Sequence, residues 1–167
     1  MASAEVLATM GEDGWVHDDP GIPDDAVVYR RIRIGDSENF TGDRISEKAC
    51  LAPKAFSLSS GDYGPQGGMS GYLEYLMKRH DILTEKLVDD WNEHGIARFH
   101  VGDLREGGAG IIESEDPDDD VRGKAHALAR CQAPGMKPKS AWSTARRFAL
   151  QRAIYYESDP GYLDDEV

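Results

Sequence analysis

Cysteine is scarce in this chain. There are two, Cys50 and Cys131, without the paired spacing of a zinc site and too few for a secreted disulfide scaffold. They are expected to be buried free thiols in a cytoplasmic protein. Long apolar runs are missing as well. None approaches the roughly 20 residues needed to cross a bilayer, so no membrane contact is expected. Residues 1–10 lack a basic flank and are interrupted by Glu5, so they do not read as a signal peptide. Positive charge is in short supply, with 19 Lys and Arg against 31 Asp and Glu, a formal net charge of −12. An isoelectric point near 4.7 repels phosphate backbones and argues against nucleic acid as a partner. Such acidity keeps a protein soluble, and it also steers a protein towards a partner with a basic surface.

Familiar chemical signatures are absent too. There is no Walker loop, no Gly-x-Ser-x-Gly and no Cys–His pair with a local signature. His17, His80, His94 and His100 show no i, i+4 pairing. The acidic run at 116–120 has neither the glycine nor the distal glutamate of an EF-hand. No metal site is assigned.

Against that background one segment stands out. Val27-Val28-Tyr29-Arg30-Arg31-Ile32-Arg33-Ile34 packs three arginines into four positions of an acidic chain. Its Val, Ile and Tyr content favours a strand. Alternation places Val28, Arg30, Ile32 and Ile34 on one face. If the isoleucines face the core, Arg30 points the same way. A guanidinium there needs an anionic or carbonyl partner, which is either a structural group or a ligand.

A length of 167 residues suits one domain with a real core. Residues 1–25, rich in Gly, Pro and acid, suggest a flexible acidic arm, and residues 158–167 an acidic tail. Between them, residues 26–157 read as a single domain. Strands are expected at 27–34, 56–59, 96–101, 111–112, 125–131 and 153–156. Helices are expected at 46–51, from about 72, over 83–91 and over 140–150. The glycine-rich stretch 60–71 reads as a mobile loop. The order lacks a βαβ rhythm, which favours an α+β fold with helices packed on a mixed sheet.

Three elements in sequence, Arg30/Arg31, Ser57-Leu58-Ser59 and Glu113-Ser114-Glu115, are similar in order to the Arg, Ser-x-Ser and Glu-x-Glu elements of mono-ADP-ribosyltransferases. That resemblance implies NAD as cofactor, with Arg30 or Arg31 on its phosphates, Ser57 beside the nicotinamide half and Glu115 stabilising an oxocarbenium-like ribose. The residue types suit the chemistry, a planar fork for pyrophosphate and a carboxylate for developing positive charge. Leu58 stands where that family usually has Thr. The alternative reading is a packed strand at 56–59 and a charged loop entry at 113–120.

His126, between two alanines, is either a general base partnered by a nearby acid or an imidazole donating to a backbone carbonyl. A broader pattern runs from about residue 27 to 155. Tyr29-Arg30-Arg31-Ile32, Arg44-Ile45-Ser46-Glu47-Lys48-Ala49, Phe56-Ser57-Leu58, Asp116-Pro117 and Ala125-His126-Ala127 together resemble a group of small uncharacterised bacterial proteins. Cys50 replaces that group's usual Phe, and Glu47 its second Ser. The resemblance implies a shared single-domain fold and ties Arg30, Ser46 and His126 to a common feature, one binding pocket. It weighs against the transferase, because Glu113-x-Glu115 is not part of the pattern. The sequence expectation is therefore a non-catalytic binding or interaction module acting on another protein, without a cofactor. The alternative is a small NAD-using transferase or hydrolase that employs Arg30, Ser57 and Glu115.

Overall fold

The computed structural model describes residues 17–41, 51–58, 67–131 and 138–163. Among them, six strands form one sheet: β1 (Val27–Arg33), β2 (Met69–Leu73), β3 (His94–His100), β4 (Gly110–Glu113), β5 (His126–Arg130) and β6 (Ile154–Tyr156). The helices are α1 (Glu74–Arg79), α2 (Val101–Glu106), α3 (Pro138–Ala145) and α4 (Arg147–Arg152). The strand order is β4-β5-β2-β1-β3-β6. The fold is the single-domain α+β class expected from the sequence. Every pairing is antiparallel, however, where a mixed sheet was expected.

β1 lies near the middle of the sheet, which is why its first residues are buried on both faces. One face carries Val28, Arg30 and Ile32, level with Phe99, Ala97 and Gly95 of β3. Phe56 packs its ring on Phe99 at 5.0 Å and Trp142 of α3 donates its indole N–H to the Phe56 carbonyl at 2.6 Å. Helices α2, α3 and α4 cluster on this side. Gly107, at the end of α2, permits their approach, because a Cβ there would come within 2.1 Å of the Ala145 carbonyl.

The opposite face carries Tyr29, Arg31, Tyr72, Arg98 and His126. The buried Tyr29 donates to Glu74 Oε2 at 2.5 Å. Glu74 is itself buried, and accepts from the Leu163 amide at 2.8 Å. Residues 159–163 of the expected tail therefore lie against α1. There Tyr162 donates to the Ile82 carbonyl at 2.5 Å and Thr84 bonds Asp159. At the other terminus, Asp18 accepts from the Ile111 amide at 3.0 Å and from Arg105. The described part of the expected arm is thus tied to the body, and residues 1–16 lie outside the described residues.

Several local expectations are corrected. Pro53 opens a 3-10 turn, Pro53–Phe56, where a strand was expected at 56–59, since its fixed φ is set up for a first helical position. The described end of the glycine-rich stretch is β2, and Tyr72 and Leu73 belong to it and not to the helix that follows. The expected helix over 83–91 is only the 3-10 turn Thr84–Leu87. Asp90 accepts from the Asn92 amide at 2.9 Å, an Asx turn that competes with a helix. The helix over 140–150 is interrupted at Arg146.

Candidate functional site, a basic cleft where two central strands part

β1 and β2 pair at Val28–Leu73 and Tyr29–Tyr72. Beyond that point β1 continues on β3 as far as Arg33, while β2 is paired with β5. The strands part, and backbone carbonyls facing the gap need new donors. Arg30 supplies them. Its Nε donates to the Ala55 carbonyl at 2.9 Å and its Nη1 to the Ser70 carbonyl at 2.9 Å. Arg30 shares a face with Val28 and Ile32, as alternation requires, and both of these acceptors are backbone carbonyls.

The gap opens into a cleft of about 350 Å³. Arg30, Arg31, Arg33, Lys54 and His94 line it, with Asp36 as the one acid among the described residues. Asn39, Ser57 and Ser70 add neutral hydrogen-bonding groups. Lys54 lies 2.7 Å from Glu38 and 3.3 Å from Asp36, and these carboxylates raise its pKa. Arg31 and Arg33 are different. Neither guanidinium has a hydrogen-bonding or ion-pair partner among the described residues. Both lie on one strand face, with Arg33 level with His94 of β3. Burial raises the Tyr72 phenol above its ordinary value, although the positive charges of Arg31 and Arg122 pull it down.

Ser70 leads from the cleft to His126. The His126 Nδ1 lies 2.7 Å from the Ser114 carbonyl and its Nε2 lies 3.1 Å from Ser70 Oγ. A carbonyl only accepts, so Nδ1 carries a proton, and Nε2 is the ring nitrogen that can accept from the serine hydroxyl. Tyr72 meets the imidazole edge-on with 5.8 Å between centroids.

Of the residues singled out by sequence, Arg30, Arg31 and Ser57 line this cleft, and His126 reaches it through Ser70. Glu115 is exposed on the connection after β4 and is not among the lining residues. Ser46 lies outside the described residues. Cys131 is half-buried, and burial pushes its thiol up.

No family model, curated protein or solved structure matches this chain.

Ser70, Lys54 and His94 escaped sequence reasoning as cleft residues. Ser70 sits in a stretch whose glycines read as loop, and only strand pairing brings it to His126. A larger concavity, about 420 Å³, is lined by Ile22, Asp25, Tyr75, Arg79 and Glu113. Its polar groups are largely used within the chain. Burial and then Glu113 hold the Tyr75 phenol well above its ordinary range, and Arg79 lies 5.6 Å from the Tyr75 ring centroid. Among the described residues no group of three or more His, Cys, Asp or Glu is placed to hold a metal.

Proposed function

We propose that this chain is a binding protein that acts on another protein by receiving an anionic side chain of its partner in the basic cleft. The observation that carries the reading is the pair Arg31 and Arg33, which have no partner among the described residues of a chain with a formal charge of −12. In a chain with so many carboxylates, two adjacent guanidinia on one strand face are readily neutralised. Left open, they are ready for a carboxylate or phosphate, which arginine binds in planar, two-pronged fashion. The net charge supplies a second element. It steers the protein to a partner with a basic surface, so the group received is an acidic anchor set in basic surroundings. A uniformly anionic polymer is disfavoured by the same field.

A second reading is kept because Arg30 and Ser57 line one cleft. Under it the anion is the pyrophosphate of NAD, and the chain is a transferase or hydrolase of mono-ADP-ribosyltransferase type. Glu115 would then have to reach a ribose held in the cleft.

The test is a calorimetric titration with a phosphoserine peptide flanked by lysines, with its glutamate counterpart, and with NAD. Binding of either peptide that weakens at least about tenfold in the Arg31→Ala/Arg33→Ala double variant, a difference of ~1.4 kcal/mol, supports the proposal. Binding of NAD alone, lost in Arg30→Ala and in Glu115→Gln, moves the assignment to the second reading. No binding by any of the three contradicts both.

A further inference from the structure

One arrangement at the cleft exceeds what binding requires. Ser70 is exposed on β2 and lines the cleft. Its hydroxyl lies 3.1 Å from His126 Nε2, and the far ring nitrogen is 2.7 Å from the Ser114 carbonyl. A hydroxyl, a base within hydrogen-bond reach and a third group that orients the base is the general signature of an activated nucleophile. The Ser114 carbonyl fixes the tautomer that leaves Nε2 free to take a proton. The backbone at Ser70 is also held. Arg30 donates to its carbonyl at 2.9 Å, and the next residue is Gly71, where a Cβ would come within 2.9 Å of Val28 Cγ1. On the same sheet face, with no ion pair of its own, Arg31 supplies a cation on the cleft.

We propose that Ser70 and His126 form a nucleophile–base pair that takes an acyl group from a small ester whose anionic end is held by Arg31 and Arg33. The anionic end rests on the cleft reading above; the nucleophile does not. In the first step Ser70 Oγ bonds to the carbonyl carbon and its proton passes to His126 Nε2. The carbonyl electron pair moves to oxygen. As the intermediate collapses, the bond from carbon to the leaving oxygen breaks, and that oxygen takes the proton from His126. A water then adds to the acyl-serine with His126 again accepting a proton. The acid departs, and Ser70 Oγ recovers its proton from His126.

The probes are p-nitrophenyl acetate and the mono-p-nitrophenyl ester of succinate, which adds a carboxylate. Acylation is followed by release of p-nitrophenolate and by intact-mass and peptide mapping. The expected result is a single acyl group on Ser70, absent in Ser70→Ala. In His126→Asn acylation is expected to slow by about 100-fold, the lower range for a general base. Asparagine keeps a donor for the Ser114 carbonyl while removing the base, and unchanged circular dichroism and melting of each variant establish folding. Ser70→Ala, at an exposed strand position, is the second check on the nucleophile. In Arg31→Ala/Arg33→Ala the preference for the succinate ester should vanish while acetate still labels Ser70. An absence of label with both esters, a label that persists in Ser70→Ala, or a rate unchanged in folded His126→Asn overturns the proposal. Labelling of Ser70 with no preference between the esters supports the nucleophile but counts against the anion-binding cleft.

Discussion

The three arginines of β1 do different work. Arg30 holds the carbonyls of Ala55 and Ser70 across the opening of the sheet. Removing it strips charged donors from both acceptors, and such bonds contribute about 1.5–3 kcal/mol each in favourable settings. Partial exposure and replacement by water reduce that, so Arg30→Ala is expected to cost roughly 1–3 kcal/mol, read from urea unfolding. Arg31→Ala and Arg33→Ala, with no partner to lose among the described residues, are expected to stay within about 0.5 kcal/mol of the parent. A large loss at Arg31 would show that its charge is already used in the fold.

Tyr29 and Glu74 make a second residue-scale case. The phenol is held well above its ordinary pKa, first by burial and then by the Glu74 carboxylate. It is therefore a donor throughout the working pH range. Tyr29→Phe is expected to cost about 1–3 kcal/mol, because Glu74 loses a donor in a buried place. A thermal melt of the two proteins compares them, and an unchanged melting temperature would mean that another donor replaces Tyr29.

Alternation along β1 made the direction of Arg30 legible in the sequence, and the need for a partner followed from the chemistry of the guanidinium. That Arg30 donates to the Ala55 and Ser70 carbonyls was one of the open options. The contact between Ser70 and His126, 56 positions apart, leaves no local trace, and nothing in the chain foretold it.

At the scale of elements, Asp119 is the main side-chain acceptor in the loop after β4. Asp119 accepts from the amides of Val121 and Arg122 and from Arg122 Nε, each at 3.0 Å. Burial opposes its ionisation, yet these hydrogen bonds outweigh it and lower its pKa below the usual carboxylate value. A depressed folded pKa contributes stability that is present above the unfolded value, near 4. That contribution is lost as pH falls through the folded value. Melting between pH 6 and pH 3 is therefore expected to show a decline that is smaller in Asp119→Asn. Parallel declines in the two proteins would remove Asp119 from the explanation.

The segment after β6 gives the other element-scale test. Its residues bring Leu163 N to Glu74 and Tyr162 to the Ile82 carbonyl. Deleting residues 158–167 is expected to destabilise by at least ~1–3 kcal/mol, the cost of an under-satisfied buried carboxylate, measured by urea unfolding. Composition reads this stretch as an acidic tail, because tyrosine and leucine anchors among aspartates carry no periodic signal. β1, β3, β4 and β6 were legible because they hold β-branched and aromatic residues, and β5 because His126, Leu128 and Arg130 alternate with alanines. β2 was not, since its core, Met-Ser-Gly-Tyr-Leu, follows a run of glycines. What makes it a strand is pairing with β5 and the start of β1, which is tertiary and not local.

For the whole molecule the central feature is a local reversal of charge. A chain of net charge −12 keeps a cleft whose charged side chains are mainly cationic. Long-range repulsion and short-range attraction then act on the same ligand, and salt separates them. Screening shortens the long-range field to about 8 Å at physiological ionic strength, while a two-pronged contact with Arg31 or Arg33 is less affected. The most direct test is a calorimetric titration of the lysine-flanked phosphoserine peptide into the parent and into Arg31→Ala/Arg33→Ala at physiological ionic strength. The expected result is saturable binding by the parent, weakened at least about tenfold in the double variant, or ~1.4 kcal/mol, with the melting temperature of the free protein preserved. Equal binding by the two folded proteins, or none by the parent, would contradict a cleft built to receive an anion.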